Sequence, residues 1–295
     1  MTSHDLGVPV LSIGNLTVGG TGKSPMIDAL LSRLTERGCR AMVLSRGYGA
    51  QVEHDGVVLN DEGHMMRRRH PDHVHIQGAD RVATARAFLV DGQADIILLD
   101  DGAQHLQVRR DAEILMFDGT ELIGHQRCLP AGPWRESIAV AQDCTVAVVT
   151  GDLSEEGAAV LRINGVKNVS VAGRVPCRTT LTDGSEVVGL DQTTGQTVGL
   201  VSAIGRPDSF ARSASEAGLK VRWSIALPDH DAMGPSALSE VAARLEAEPV
   251  DLLLTTSKDA VKLSDSALNW RVLEIELELT GGWGPIDAIL NQMLP

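Results

Sequence analysis

Between an apolar run, Val8–Ile13, and a stretch with apolar residues at Met26, Ile27, Leu30, Leu31 and Leu34 stands the segment Thr17-Val18-Gly19-Gly20-Thr21-Gly22-Lys23-Ser24. No other feature constrains the fold as tightly. A Gly-rich loop placed between a strand and a helix turns its backbone N–H groups inward around phosphate oxygens. The helix N-terminus adds positive character at the same point. In this pattern the lysine, Lys23, reaches the β- and γ-phosphates, and the hydroxyl of Ser24 ligates Mg²⁺. The segment therefore implies a nucleoside triphosphate bound with Mg²⁺. One position departs from the usual spacing, because Thr17 stands where glycine is the rule.

Gly38 is the expected stop of the helix, and Ala41–Leu44 reads as the next strand. A β-loop-α-β unit implies parallel pairing with a right-handed crossover. Ile96–Leu99, Ile114–Phe117 and Thr145–Val149 are further strand-like runs, and Arg81–Leu89 reads as a helix. Aromatic residues make up only 3% of the 295-residue chain. The core is then mostly aliphatic, which suits strands buried on both faces. The expected fold is α/β: a P-loop NTPase-like, doubly wound, mostly parallel sheet with a second, smaller α/β lobe. Residues 1–174 form the P-loop core in this reading, 175–197 a hairpin-like connector, and 198–295 the smaller lobe. Within that lobe Val198–Ile204, Val221–Ala226, Leu252–Leu254 and Val272–Ile275 read as strands, with helices near 207–218, 236–247 and 285–294.

The second chemical signal is Ile96-Ile97-Leu98-Leu99-Asp100-Asp101. An apolar strand ending in carboxylates places them at the carboxyl edge of the sheet, where open α/β sheets bind ligands. Asp100 and Asp101 are thus candidates, with Ser24, for holding Mg²⁺.

Charge and composition exclude other classes. The formal net charge is −13, which opposes a nucleic-acid face. The one dense basic cluster, Arg67-Arg68-Arg69-His70, reads as a solvated loop, or else as a contact for an anionic membrane surface. His70-Pro71-Asp72-His73-Val74-His75 reads as a polar surface loop rather than a metal site. Cys39, Cys128, Cys144 and Cys177 show no metal-ligand spacing and are expected as reduced thiols. No apolar run approaches the roughly 18 residues that span a bilayer.

Asp100-Asp101-Gly102-Ala103-Gln104-His105 resembles the D-D-G-x-Q-H signature of the tetraacyldisaccharide 4′-kinases, the lipid A kinases of Gram-negative bacteria. Gly14-Asn15-Leu16 followed by the Gly-rich segment resembles that family's P-loop, which also carries Thr at the departing position. Ser45-Arg46-Gly47-Tyr48-Gly49, Asp61-Glu62 and Leu129-Pro130-Ala131-Gly132-Pro133-Trp134-Arg135-Glu136 resemble further family elements. So do Ile204-Gly205-Arg206-Pro207, Pro228-Asp229-His230 and Ser257-Lys258-Asp259-Ala260-Val261-Lys262. Gly63, Ala103 and Trp134 depart from it, and the family's N-terminal hydrophobic helix has no counterpart before Val8.

The resemblance implies transfer of the ATP γ-phosphate to the 4′-hydroxyl of a lipid A disaccharide 1-phosphate precursor. It implies that Asp61 accepts the hydroxyl proton, with His230 orienting it or raising its basicity. The two residues stand in different lobes, so lobe closure would assemble the site. The resemblance places Gln104 and His105 near the γ-phosphate or the Mg²⁺ shell, gives Glu136 a part in organising the metal shell, and makes Arg46, Arg81 and Arg135 candidates for clamping phosphate, since a guanidinium pairs two oxygens at once. The location implied is cytoplasmic, peripheral on the inner face of the inner membrane. The alternative is a P-loop NTPase switch that hydrolyses nucleotide to regulate a partner; no guanine-reading N-K-x-D motif is present to favour it.

Overall fold

The computed structural model of the chain describes residues 3–47, 52–54, 57–90, 93–124, 126–182, 184–205, 207–228, 231–263 and 268–294, the side chains of Val52, His54, Val57 and Asp61 excepted. Two compact units are present, Met1–Arg174 with Leu277–Pro295, and Val175–Glu276.

The first unit runs β1 (Val10–Asn15), α1 (Lys23–Glu36), β2 (Ala41–Ser45), β3 (Val52–His54), β4 (Val57–Leu59), α2 (Asp61–Arg69), β5 (Val74–Gln77), α3 (Arg81–Leu89), β6 (Ile96–Asp100), β7 (Ala112–Asp118), α4 (Gly119–Leu122), β8 (Val146–Thr150), α5 (Glu155–Ile163) and the start of β9 (Val169–Leu181). Its strands lie in the order β9-β8-β7-β1-β6-β2-β5. Every pairing along that path is parallel. The chain builds outward from β1 first toward β2 and β5, then toward β7, β8 and β9. The order reverses at β1, so the loops leaving the carboxyl ends of β1 and its neighbours part and leave a crevice.

The apolar runs are strands because both of their faces are covered. Leu11, Ile96, Leu98, Val146 and Val148 pack on one side with Met26, Leu30, Leu31 and Leu34 of α1. Val10, Ile97 and Leu99 pack on the other side with Val82 and Ala85 of α3, while Ala147 and Val149 join Leu115, Trp134 and Leu161.

Residues 60–77 hold more structure than their polarity suggests. Asn60 caps α2, its side-chain oxygen accepting from the Gly63 amide at 2.9 Å. Arg67–Arg69 form the last turn of that helix rather than a loop, and Arg69 reaches Asp28 at 3.1 Å. The His70–His75 segment is not a surface loop either, for His70, His73 and His75 are 8%, 5% and 7% exposed. His70 Nε2 lies 2.8 Å from Asp28 Oδ1, and the Ala41 amide donates to His73 Nδ1 at 2.9 Å. The imidazoles thus bind α1 and β2 to β5, using ring nitrogens where the backbone needs partners. Among the described residues no group of three or more His, Cys, Asp or Glu side chains could hold a metal.

Burial, aided by the nearby His70 and His73, pushes the His75 imidazole down to about 4. A histidine depressed in the fold binds its proton more readily when unfolded, so its contribution is present above its ordinary value near 6.5 and is lost as pH falls toward 4. Acidification from pH 7 to 4.5 is expected to lower stability by about 2–3 kcal/mol through this residue. Urea midpoints measured across that range check it, and His75→Gln should flatten the dependence.

After the second unit the chain returns to the first through the end of β14 (Trp270–Thr280) and α10 (Gly284–Met293). The sequence pattern assigns all of 198–295 to the smaller lobe, whereas Leu277–Pro295 belong to the first unit. Leu277, Leu279, Ile286, Ile289 and Leu290 instead share the α1 cluster. Arg33 and Arg37 of α1 both bind Asp287, at 2.7 and 2.9 Å, and Arg33 lies 4.8 Å from the centre of the Trp283 ring. Periodicity alone identifies such a helix but not the partner that covers it.

The second unit holds the rest of β9, then β10 (Val187–Gly189), α6 (Leu190–Thr193), β11 (Thr197–Ser202), α7 (Pro207–Glu216), β12 (Lys220–Ala226), α8 (Pro235–Ala247), β13 (Leu252–Thr255), α9 (Ser257–Ala260) and the start of β14. β10 folds back antiparallel on β9. The remaining strands run parallel in the order β12-β11-β13-β14. Asp259, fully buried, accepts from the Ala203 amide at 3.0 Å and Thr256 Oγ1 at 2.8 Å, and pairs with Lys262 at 3.2 Å.

Candidate functional site

β1 ends at Asn15, and the Gly-rich loop carries the chain to Lys23 at the start of α1. Val18, Gly19 and Gly20 form an exposed crown, whereas Thr17 and Thr21 are buried beneath it. Gly22 takes φ 94°, in the left-handed region that admits glycine most easily, and it supplies no side-chain cap to α1. The first amides of that helix therefore keep the electropositive character suited to an anion.

Asn15 is the hub of the loop. Its Nδ2 donates to the Thr17 carbonyl at 2.9 Å, and its Oδ1 accepts from Lys23 Nζ at 3.0 Å. The same ammonium lies 3.3 Å from Asp101 Oδ1. Thr17 fills the position where glycine is usual, and its hydroxyl donates to Glu121 Oε2 of α4 at 2.7 Å. On the opposite wall, the Val18 amide donates to the Pro133 carbonyl at 2.8 Å and the Arg135 amide to the Leu16 carbonyl at 2.6 Å. Trp134, 1% exposed, anchors that wall in the core. The Leu129–Glu136 stretch thus braces the loop and aims Arg135 across it.

β6 delivers Asp100 and Asp101 to the same edge. Burial pushes the Asp100 carboxyl up to about 6, with Glu62 and Asp101 adding like charge and Lys23 and Arg81 opposing. Asp101 behaves otherwise. Its burial is outweighed by Lys23 and Arg135, which hold its carboxyl below the usual range. Arg135 binds both Asp101 carboxylate oxygens, at 3.1 and 3.0 Å, and Gln104 Oε1 at 3.2 Å. Gln104 Nε2 in turn donates to the Asn15 carbonyl at 3.1 Å. A closed polar circuit therefore joins Asn15, Lys23, Asp101, Arg135 and Gln104.

A second group lies beside it. Ser24 Oγ donates to Glu62 Oε1 at 3.3 Å, and Ser24, Ser45, Glu62, Gln77 and Asp100 line one small cavity. The first residue of α2, Asp61, precedes Glu62, and its side chain lies outside the described residues, as does His230. Arg81 is 4% exposed and donates to the Asp101 carbonyl at 3.1 Å, so it holds protein backbone. Arg46 is exposed within electrostatic reach of Arg81 and His105. Burial and the Arg81 charge lower the His105 imidazole. Glu136 acts on Glu113, whose carboxyl is raised chiefly by burial.

Sequence reasoning gave Asn15, Glu62 and Glu121 no role. For Glu62 the signal was its place beside Asp61. Glu121 carries no local signal, because only the β7–α4 turn brings it under Thr17.

The family described as Tetraacyldisaccharide-1-P 4′-kinase matches residues 1–294. The chain belongs to this family. A tetraacyldisaccharide 4′-kinase of Anaeromyxobacter sp. strain K is 33% identical over 98% of this chain and 82% of its own length. One from Halorhodospira halophila is 34% identical over 93% of this chain and 80% of its own. The crystal structure of LpxK from Aquifex aeolicus in complex with ATP superposes with a TM-score of 0.77 at 24% identity, covering 100% of this chain and 91% of that one. That likeness bears on fold, and it agrees with the α/β, mostly parallel architecture. Among the described residues no helix is long and apolar enough to cross a membrane.

Proposed function

We infer that the chain is a tetraacyldisaccharide 4′-kinase, which transfers the γ-phosphate of ATP to the 4′-hydroxyl of a tetraacyldisaccharide 1-phosphate in lipid A biosynthesis. Family membership supports the substrate. The observation that carries the chemistry is Lys23, held between Asn15 and Asp101 at the mouth of the Gly-rich loop. An ammonium fixed there meets the β- and γ-phosphates without reorganising. Thr17–Ser24 supply the cradle. Arg135 and Arg46 clamp phosphate, Gln104 and His105 serve the γ-phosphate or the Mg²⁺ shell, and Glu136 helps organise that shell.

The donor set fits Mg²⁺. Ser24, Asp100 and Asp101 offer hard oxygens, and a nucleotide-bound Mg²⁺ needs only one or two protein carboxylates because phosphates and water complete its shell. When bound, the ion neutralises charge on the transferring phosphoryl group. Asp61 takes the proton of the sugar hydroxyl, and His230 supports it as base. Arg67 and Arg68 offer a basic helix end for an anionic membrane surface, with the enzyme peripheral on the inner face of the inner membrane.

ATP consumption should depend on the disaccharide acceptor. Steady hydrolysis without acceptor, unchanged on adding it, would favour the switch-like NTPase reading.

A further inference from the structure

The turn that carries Asp101 and Gln104 is held from below by groups that the transfer reaction does not itself use. Asp101 takes φ 49°, a left-handed conformation uncommon for a residue other than glycine. Such a conformation persists when its surroundings over-determine it. Here the Gly102 amide donates to the Ile13 carbonyl at 3.2 Å. Gly14 is pressed so close to the turn that a Cβ on it would stand 2.6 Å from the Ala103 nitrogen. Arg110 Nη1 then donates to the Ala103 carbonyl at 3.1 Å and reaches the Gly102 carbonyl at 3.5 Å. The guanidinium is tied down by a short contact with Glu113 Oε1, and that oxygen also accepts from the buried Ser12 hydroxyl at 3.2 Å. The register of β1 against β7 sets Ser12 opposite Glu113. Sheet pairing thus fixes Glu113, Glu113 fixes Arg110, and Arg110 fixes two successive carbonyls of the turn.

A partly buried ion pair is weak evidence for stability, since desolvation offsets its attraction. Its location says more than its strength. The hydrogen bonds of the Arg110 and Glu113 side chains go to Gly102, Ala103, Ser12 and each other, yet the turn they hold carries the carboxylate that meets Lys23 and Arg135.

We propose that Arg110, held by Glu113, is a positioning residue that sets the placement of Asp101 and Gln104 against Lys23 and Arg135. This rests on the kinase reading above and deepens it. A misplacement of about 1 Å at reacting groups lowers turnover by roughly 10²-fold.

The test measures kcat, both KM values and thermal unfolding for Arg110→Met, Arg110→Lys and Glu113→Gln. Arg110→Met is also made in an Asp101→Asn background. Arg110→Met is expected to lower kcat by about 10- to 100-fold with the acceptor KM within about twofold. Arg110→Lys, which keeps one donor for the Ala103 carbonyl, should recover a large part of that loss. In the Asp101→Asn background Arg110→Met should reduce kcat by less than about threefold, because residues that act as a unit are non-additive. Equal losses in both backgrounds, or an Arg110→Met kcat within twofold of the parent, overturn the proposal. Should Arg110→Met not fold, Glu113→Gln decides: a drop of several-fold in kcat supports it and an unchanged kcat overturns it. If Asp101→Asn alone leaves kcat unchanged, the reading of the whole turn fails, and that result is distinct because it appears before Arg110 is altered.

Discussion

Lys23→Met should reduce kcat/KM by at least about 10²-fold while leaving the fold intact, because loss of one preorganised donor to developing charge typically has an effect of that size. The lysine side chain is 16% exposed and makes two polar contacts, to Asn15 and Asp101. Lys23 is the first residue of α1, and the packing of that helix rests on Met26, Leu30, Leu31 and Leu34 farther along it. Removing the ammonium leaves the Asp101 carboxylate paired with Arg135, which also holds Gln104. The expected signature is therefore weakened nucleotide binding together with slow turnover, at a thermal midpoint within a few degrees of the parent. Turnover within threefold of the parent would show that the cradle grips phosphate without this residue.

Asp61→Ala is expected to act on a different step. A positioned general base contributes about 10²–10⁴-fold to rate. Asp61 stands at the first position of α2, immediately before Glu62, whose carboxylate meets Ser24. The substitution should lower kcat by that range with the nucleotide dissociation constant within about threefold. Asn60 still caps the helix, so loss of folding is not expected. A large loss of nucleotide affinity would instead assign Asp61 to the nucleotide shell with Glu62.

The central sheet was legible because its strands are buried on both faces and so read as unbroken apolar runs, as at Ile96–Leu99. Arg81–Leu89 was equally plain. The loop-to-helix site was legible for a related reason: glycines and one lysine at fixed spacing impose their geometry on whatever surrounds them. What escaped notice was held by distant partners. His73 looks like a surface residue until the Ala41 amide is seen to need its ring nitrogen. Helix α10 shows its apolar face but not that α1 covers it. Arg110 and Glu113 look like ordinary charges beside β7, because the β1–β7 register that sets Glu113 beside Ser12, and through it Arg110 beneath Ala103, is absent from any local pattern.

The destination of the γ-phosphate decides what this enzyme is. Mass and ³¹P analysis of a tetraacyldisaccharide 1-phosphate incubated with this protein, ATP and Mg²⁺ follows that group directly. One added phosphate on the 4′-oxygen, matched by one ADP per product and lost with Lys23→Met, is the expected result. ATP turned over to free phosphate with the lipid unchanged would contradict it.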